Sequence, residues 1–192
     1  MLDNPWLPAL LWVLLFYCDY YLSLWGARLR NAQTSYEYEG SYEPTPRLEK
    51  DVDSQKWLSW MVSLWIVFGA AFLLATGYVK PHPPFLYGIV IGLFLVFQLG
   101  SVVIHIDSIL FFRRLASPRP GLEGHIRLTR EALYRMASNR FTTLAVFTIS
   151  CFILTNSVIL LGGSVSLLVT ALRYVRQANY QKELAEESVK GE

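Results

Sequence analysis

The chain has 192 residues, 53% of them hydrophobic and 15% aromatic, with a formal net charge of +2. That length suffices for one domain and leaves no room for a soluble catalytic domain beside a membrane anchor, and so small a charge excess speaks against nucleic acid as a partner. The residues of common soluble chemistry are missing as well: no Walker-type phosphate loop, no Gly-x-Ser-x-Gly, no His-Glu-x-x-His and no Cys-x-x-Cys. No catalytic residue and no cofactor are therefore expected.

Four apolar runs, residues 5–26, 57–78, 84–112 and 141–161, each reach the length of about 20 residues that crosses a bilayer core of about 30 Å. The first is too long and too aromatic for a cleaved signal peptide and is expected to stay as a helix. Cys18 and Cys151 lie inside such runs and read as small buried hydrophobes. The connection 27–56 carries Tyr36-Glu37-Tyr38-Glu39-Gly40-Ser41-Tyr42-Glu43-Pro44-Thr45-Pro46, aromatic alternating with acidic and closed by two prolines. An extended or turn conformation is expected there. Its tyrosines would pack on the helix ends and its glutamates face the arginines of 113–140, with a ligand-binding loop as the sharper alternative.

The prolines of Tyr78–Pro84 make a tight hairpin between the second and third runs, and those of Ser117–Gly121 end the third helix. Beyond it, Leu122, Ile126, Leu133 and Met136 recur at helical spacing opposite Arg127, Arg130 and Arg135, which predicts an interfacial amphipathic helix. From Phe141 to Val175 the chain is apolar for 35 residues, about 52 Å as one helix. Gly162-Gly163-Ser164 offers a break, so a fifth crossing over 164–176 is expected; four crossings with one long final helix, or a re-entrant segment, are the alternatives. Residues 177–192 alternate charge and are expected to fray as a tail behind a single membrane domain, 1–176.

The fold expectation is thus all-α: a polytopic transmembrane helical bundle of about five membrane helices, four being possible, plus a cytoplasmic interfacial amphipathic helix. Connection 27–56 holds five basic residues and segment 113–140 holds seven arginines against Glu123 and Glu131, whereas the N-terminus, 79–83 and 162–164 share only Lys80. The positive-inside rule then predicts a multi-pass protein of the cell (inner) membrane, with the N-terminus outside and the long connections and C-terminus cytoplasmic.

Few polar side chains lie within the runs, and an ionisable group there is costly unless paired or hydrated. Counted from Arg28 and from Arg113, Asp19 lies about 13 Å deep, His105 about 12 Å and Asp107 about 9 Å. All three share one level, where they meet if the first and third membrane helices are neighbours. Gln98, Ser101, His105 and Ser108 fall within about 80° of one another on the third helix, a polar stripe that lipid does not face. Asp107 points the other way, which speaks against a single metal site built from Asp19, His105 and Asp107, although each is a legitimate ligand. A structural alternative pairs Asp19 with Arg28 or Arg30, and Asp107 with Arg113 or Arg114. Gly88, Gly92 and Gly100 are candidates for close helix packing and Asn156 for an interhelical hydrogen bond.

Cys18-Asp19-Tyr20-Tyr21-Leu22-Ser23-Leu24-Trp25-Gly26-Ala27, followed by Glu39–Pro46, resembles the Asp-containing first helix and the Glu-x-Asn-Pro loop of some uncharacterised small prokaryotic membrane proteins. Here Pro44-Thr45 replaces part of the loop pattern. The resemblance spans about a quarter of the chain and implies a membrane location but no activity.

The leading expectation is an oligomeric proton or ion conduit with Asp19 and His105 as its titrating groups and Gln98, Ser101, Asp107 and Ser108 along the path. Nearly level with it stands a structural or accessory subunit of a larger membrane complex. An intramembrane enzyme using Asp19 and His105 is the third class. Expected partners are the bilayer, further copies or membrane-complex subunits, and anionic lipid at Arg113, Arg114, Arg127, Arg130 and Arg135.

Overall fold

The computed structural model describes residues 4–32, 36–38, 46–78, 84–115 and 126–190. In chain order these form α1 (Trp6–Asn31), β1 (Tyr36–Tyr38), α2 (Pro46–Asp53), α3 (Trp60–Tyr78), α4 (Pro84–Leu115), β2 (Ile126–Leu128), α5 (Arg130–Thr155) and α6 (Val158–Lys190). Every one of α1, α3, α4, α5 and α6 is long and apolar enough to cross a membrane. The chain is a helical bundle of the integral membrane class.

Local chemistry sets the helix ends. The Ser59 hydroxyl accepts from the Val62 N–H and starts α3, and the Thr129 hydroxyl accepts from the Ala132 N–H and starts α5. Asn156, at φ 50°, adopts the left-handed conformation that closes α5 and turns the chain into α6.

The helices pack in the order α3, α1, α4, α6, α5, with α4 central. Ala9, Trp12, Leu73, Tyr87, Ile91 and Leu95 form one core between α1, α3 and α4, and Phe141, Ala145, Leu167 and Ala171 another between α5 and α6. The α4–α6 contact is backbone on backbone. A Cβ on Gly92 would overlap the Ile159 carbonyl, and one on Gly162 would overlap that of Ile89. Outward faces remain apolar: Leu14, Val67, Phe147, Ile153, Leu154 and Leu172 are all exposed. Such a surface is a liability in water and ordinary in lipid.

Exposed aromatics mark the two ends. Trp6, Tyr78 and Phe85 lie at one, and Trp25, Trp57 and Trp60 at the other. Trp6 and Trp25 are separated by about 28 Å of helix rise, Trp60 and Tyr78 by about 27 Å, close to a hydrocarbon thickness of about 30 Å. The Trp25 end is here the loop side, since the chain segments joining α1 to α3 and α4 to α5 both lie there; the other end is the far side.

On the loop side β1 and β2 pair in parallel, Glu37 standing opposite Arg127 in register, and Glu49 of α2 reaches Arg130 of α5 at 3.5 Å. The alternating Tyr/Glu segment therefore does have a strand to pair with over Tyr36–Tyr38; its remainder, 39–45, lies outside the described residues, as do 79–83 and 116–125, where the proline turns are expected.

Three boundaries differ from expectation. The break before the last helix falls at Asn156–Ser157 instead of Gly162–Ser164, because Gly162 and Gly163 are needed inside α6 for its contact with α4. The amphipathic stretch, described from Ile126 onward, is not a helix of its own: Ile126–Leu128 is strand, and from Arg130 the chain is already α5, while the short amphipathic helix of this side is α2. Residues 177–190, expected to fray, continue α6 to Lys190, helped by helix-forming residues and the Lys182–Glu186 pair.

Candidate functional site

Packing α1 beside α4 brings Asp19, Ser23 and His105 together. His105 Nε2 lies 3.0 Å from Ser23 Oγ and 3.4 Å from Asp19 Oδ1. Both ionisable side chains are mostly buried, at 14% exposure for His105 and 21% for Asp19. Which partner donates follows the imidazole tautomer. Asp19 is thus paired with His105, one turn or two inside the Trp25 level, and not with Arg28, which donates to Gln55 Oε1 at 3.2 Å.

A second pair adjoins the first. Arg140 Nη2 meets Asp107 Oδ2 at 2.9 Å, and its Nη1 donates to Ser108 Oγ at 2.8 Å. The expected partners of Asp107, Arg113 and Arg114, are not the ones found: Arg113 lies over the Trp25 ring at 5.8 Å. The Arg140 contact escaped the sequence reading because α5 was expected to begin at Phe141, which left Arg140 in a loop. Its helical spacing from Arg130 and Arg135 was the available signal.

Gln98 sits higher on α4, buried, with its Nε2 lacking any hydrogen-bond partner among the described residues. Ser101, between Gln98 and His105, is half-buried. Above Gln98 the same α1-facing stripe becomes Leu95 and Ile91, packed with Ala9, Trp12 and Leu73. The polar tips in that region are spent locally, Trp12 Nε1 donating to the Ile66 carbonyl at 3.3 Å and Tyr87 Oη to the Leu73 carbonyl at 3.4 Å.

Other singled-out residues take different places. Gly88 faces Val158, Gly92 the Ile159 backbone and Gly100 the Leu167 side chain. Asn156 makes a turn and is exposed, so it offers no interhelical bond from the interior. Cys18 is exposed and Cys151 half-buried, contrary to the buried reading, since both fall on outward faces. Arg130 and Arg135 are engaged by Glu49 and Glu131. Among the described residues no three His, Cys, Asp or Glu side chains gather as metal ligands.

The hub that holds the loop side together was not anticipated. Gln55, at φ 52°, donates through Nε2 to the Leu24 and Val52 carbonyls. Asp51 accepts from Lys56 at 2.7 Å and from Ser59. Those two hydrogen bonds hold the Asp51 carboxyl below its ordinary value.

No protein-family model, curated protein or solved structure matches the chain.

Proposed function

We propose that this membrane protein handles protons at the Asp19–His105 pair, as a subunit of an oligomeric proton or ion conduit. The observation that carries the reading is a carboxylate and an imidazole from two different helices held 3.4 Å apart inside the span, with a hydroxyl beside them. Acid–imidazole pairs at such depth are the chemistry of intramembrane proton relays. His105 supplies the imidazole, the side chain best suited to taking up and releasing a proton near neutral pH. Ser108, Arg140 and Asp107 continue the polar line toward the loop side, where Asp107 is 61% exposed.

One protomer does not hold a complete path, since the stripe ends against the apolar core at Leu95 and Ile91. Copies arranged about an axis would supply the remainder. The basic loop-side residues favour an inner-membrane orientation with that side cytoplasmic, and Ser41→Cys, Ser188→Cys and His82→Cys, labelled from either face, test it; labelling of position 188 from outside would reject it.

The test of function is flux from purified protein in liposomes. Wild type should move protons with a pH profile that His105→Gln flattens, and Asp19→Asn should assemble normally but lose flux. A His105→Gln variant that keeps the wild-type profile removes His105 from the mechanism. The Arg140–Asp107 pair favours a second reading, an accessory subunit whose intramembrane charges are merely mutually neutralised; absence of flux from wild type, with Asp19→Asn losing stability or assembly, would establish it.

A further inference from the structure

We infer that the α1–α4 contact encloses a short water chain running from the Asp19–His105 pair up to Gln98 and stopping there, so that the site is open to the loop side only. The inference rests on the proton-handling reading and adds to it the sidedness and the extent of the wet region. Gln98 carries it. A side-chain amide 98% buried with an unpartnered Nε2 among the described residues is expensive in a dry bilayer core, where every buried donor needs an acceptor.

Register places that amide. Gln98 stands seven residues before His105 and seven after Ile91, so all three share the face of α4 turned to α1. Ile91 packs there with Ala9 and Trp12, and His105 meets Ser23 and Asp19. Gln98 therefore faces the same seam, about 10 Å of helix rise above His105, with Ser101 between. About two waters fill that interval, each with polar partners of the kind buried waters need: the Gln98 amide, the Ser101 hydroxyl and the Asp19 carboxylate.

The seam closes above Gln98. Leu95, Ile91, Trp12 and Leu73 are buried and apolar, and the nearby Trp12 and Tyr87 tips are already bonded to backbone carbonyls. Below, Ser108 and Asp107, both joined to Arg140, continue the polar groups toward the loop-side end of α4. The result is a half-channel with a dry plug in the far half.

Silver ion, which is close to water in size and reacts with hydrated thiols, reads this directly. In a chain carrying Cys18→Ser and Cys151→Ser, the variants Ile91→Cys, Leu95→Cys, Gln98→Cys and Ser101→Cys are reconstituted and silver is added to one face at a time. Gln98→Cys and Ser101→Cys should react at least tenfold faster from the loop side than from the far side, and Ile91→Cys and Leu95→Cys should resist from both. Gln98→Cys reacting no faster than Leu95→Cys would overturn the wet seam, and reaction of Leu95→Cys or Ile91→Cys would overturn the plug. Should Gln98→Cys fail to fold, Gln98→Met in the natural chain decides: removal of a hydrated amide leaves Tm unchanged or lowers it, whereas a rise in Tm shows that the amide was dry. Flux that depends on Asp19 and His105 while Gln98→Cys stays inert removes the water chain and spares the function. One-sided reaction without such flux does the reverse.

Discussion

Along one helix pair, α1 with α4, the two halves of the span are made of different materials. In the far half Ala9, Trp12, Leu73, Tyr87 and Ile91 interlock, and just behind them α4 and α6 touch backbone to backbone at Gly92 and Gly162. In the loop-side half the same seam carries Asp19, Ser23 and His105, with Arg140 bridging to Asp107. Steps of seven residues on α4 run from isoleucine through glutamine to histidine with no change of face. Apolar packing and ionisable side chains are thus separated by depth, so each half is open to separate attack.

The largest effect is expected in the sealed half. Gly92→Leu drives a side chain into the Ile159 carbonyl and has no rotamer that avoids it, so the variant should lose the folded bundle or about 3 kcal/mol of stability, read as loss of a monodisperse peak and a lowered Tm. Gly100→Ala meets only side-chain ends, those of Leu167 and Leu144, and should melt close to wild type. Equal damage from both would mean that the α4–α6 contact is not where the far half is sealed.

Asp19→Asn attacks the other half. It keeps the shape and removes the charge that faces His105; under the proton-handling account it should assemble and melt near wild type while abolishing flux, and under the pairing account it should instead lower stability by about 1–2 kcal/mol. A variant matching wild type in assembly, melting and transport would reject both the functional and the pairing account of Asp19.

The apolar runs made the membrane class legible in advance, because some twenty uninterrupted apolar residues have few other uses. The level shared by Asp19 and His105 was legible too, since rise per residue converts position into depth. What stayed hidden depended on contacts distant in sequence. Gly162-Gly163 reads locally as a helix break, and only the close approach of α4, with the Ile89 backbone at Gly162 and the Val96 side chain at Gly163, explains two glycines inside a helix. Asn156 carries no such local signal, although its tolerance of positive φ lets it turn the chain. Arg140 looked like part of a basic loop, and its partners Asp107 and Ser108 lie more than thirty residues away. The pairing of β1 with β2 is likewise non-local, joining two connections that the sequence separates by all of α3 and α4.

Outside the span, the hub at Asp51 and Ser59 offers a smaller effect. Ser59→Ala removes the cap of α3 and a donor to Asp51, and should cost about 1 kcal/mol. The folded-state carboxyl of Asp51 titrates below its unfolded value of 3.8, so its contribution is complete above that pH and is lost as pH falls through the lower folded value. Hydrogen exchange at 51–62 should accordingly rise in acid below pH 3.8, less so in Ser59→Ala; an unchanged acid profile in the natural chain would refute the role of Asp51. Arg140→Gln should cost less than these, about 0.5–1 kcal/mol, since Asp107 is already well exposed. A loss of several kcal/mol there would move the centre of the loop-side cluster from Asp19 to Asp107.

Sidedness at Asp19 tests the account most directly. Infrared difference spectra of the reconstituted protein, with the Asp19→Asn variant used to assign the Asp19 carboxyl band, follow its protonation while pH is stepped on one face at a time. The band should respond to the loop-side step and ignore the far-side step. A band that answers to the far side, or to neither, would contradict the one-sided proton site.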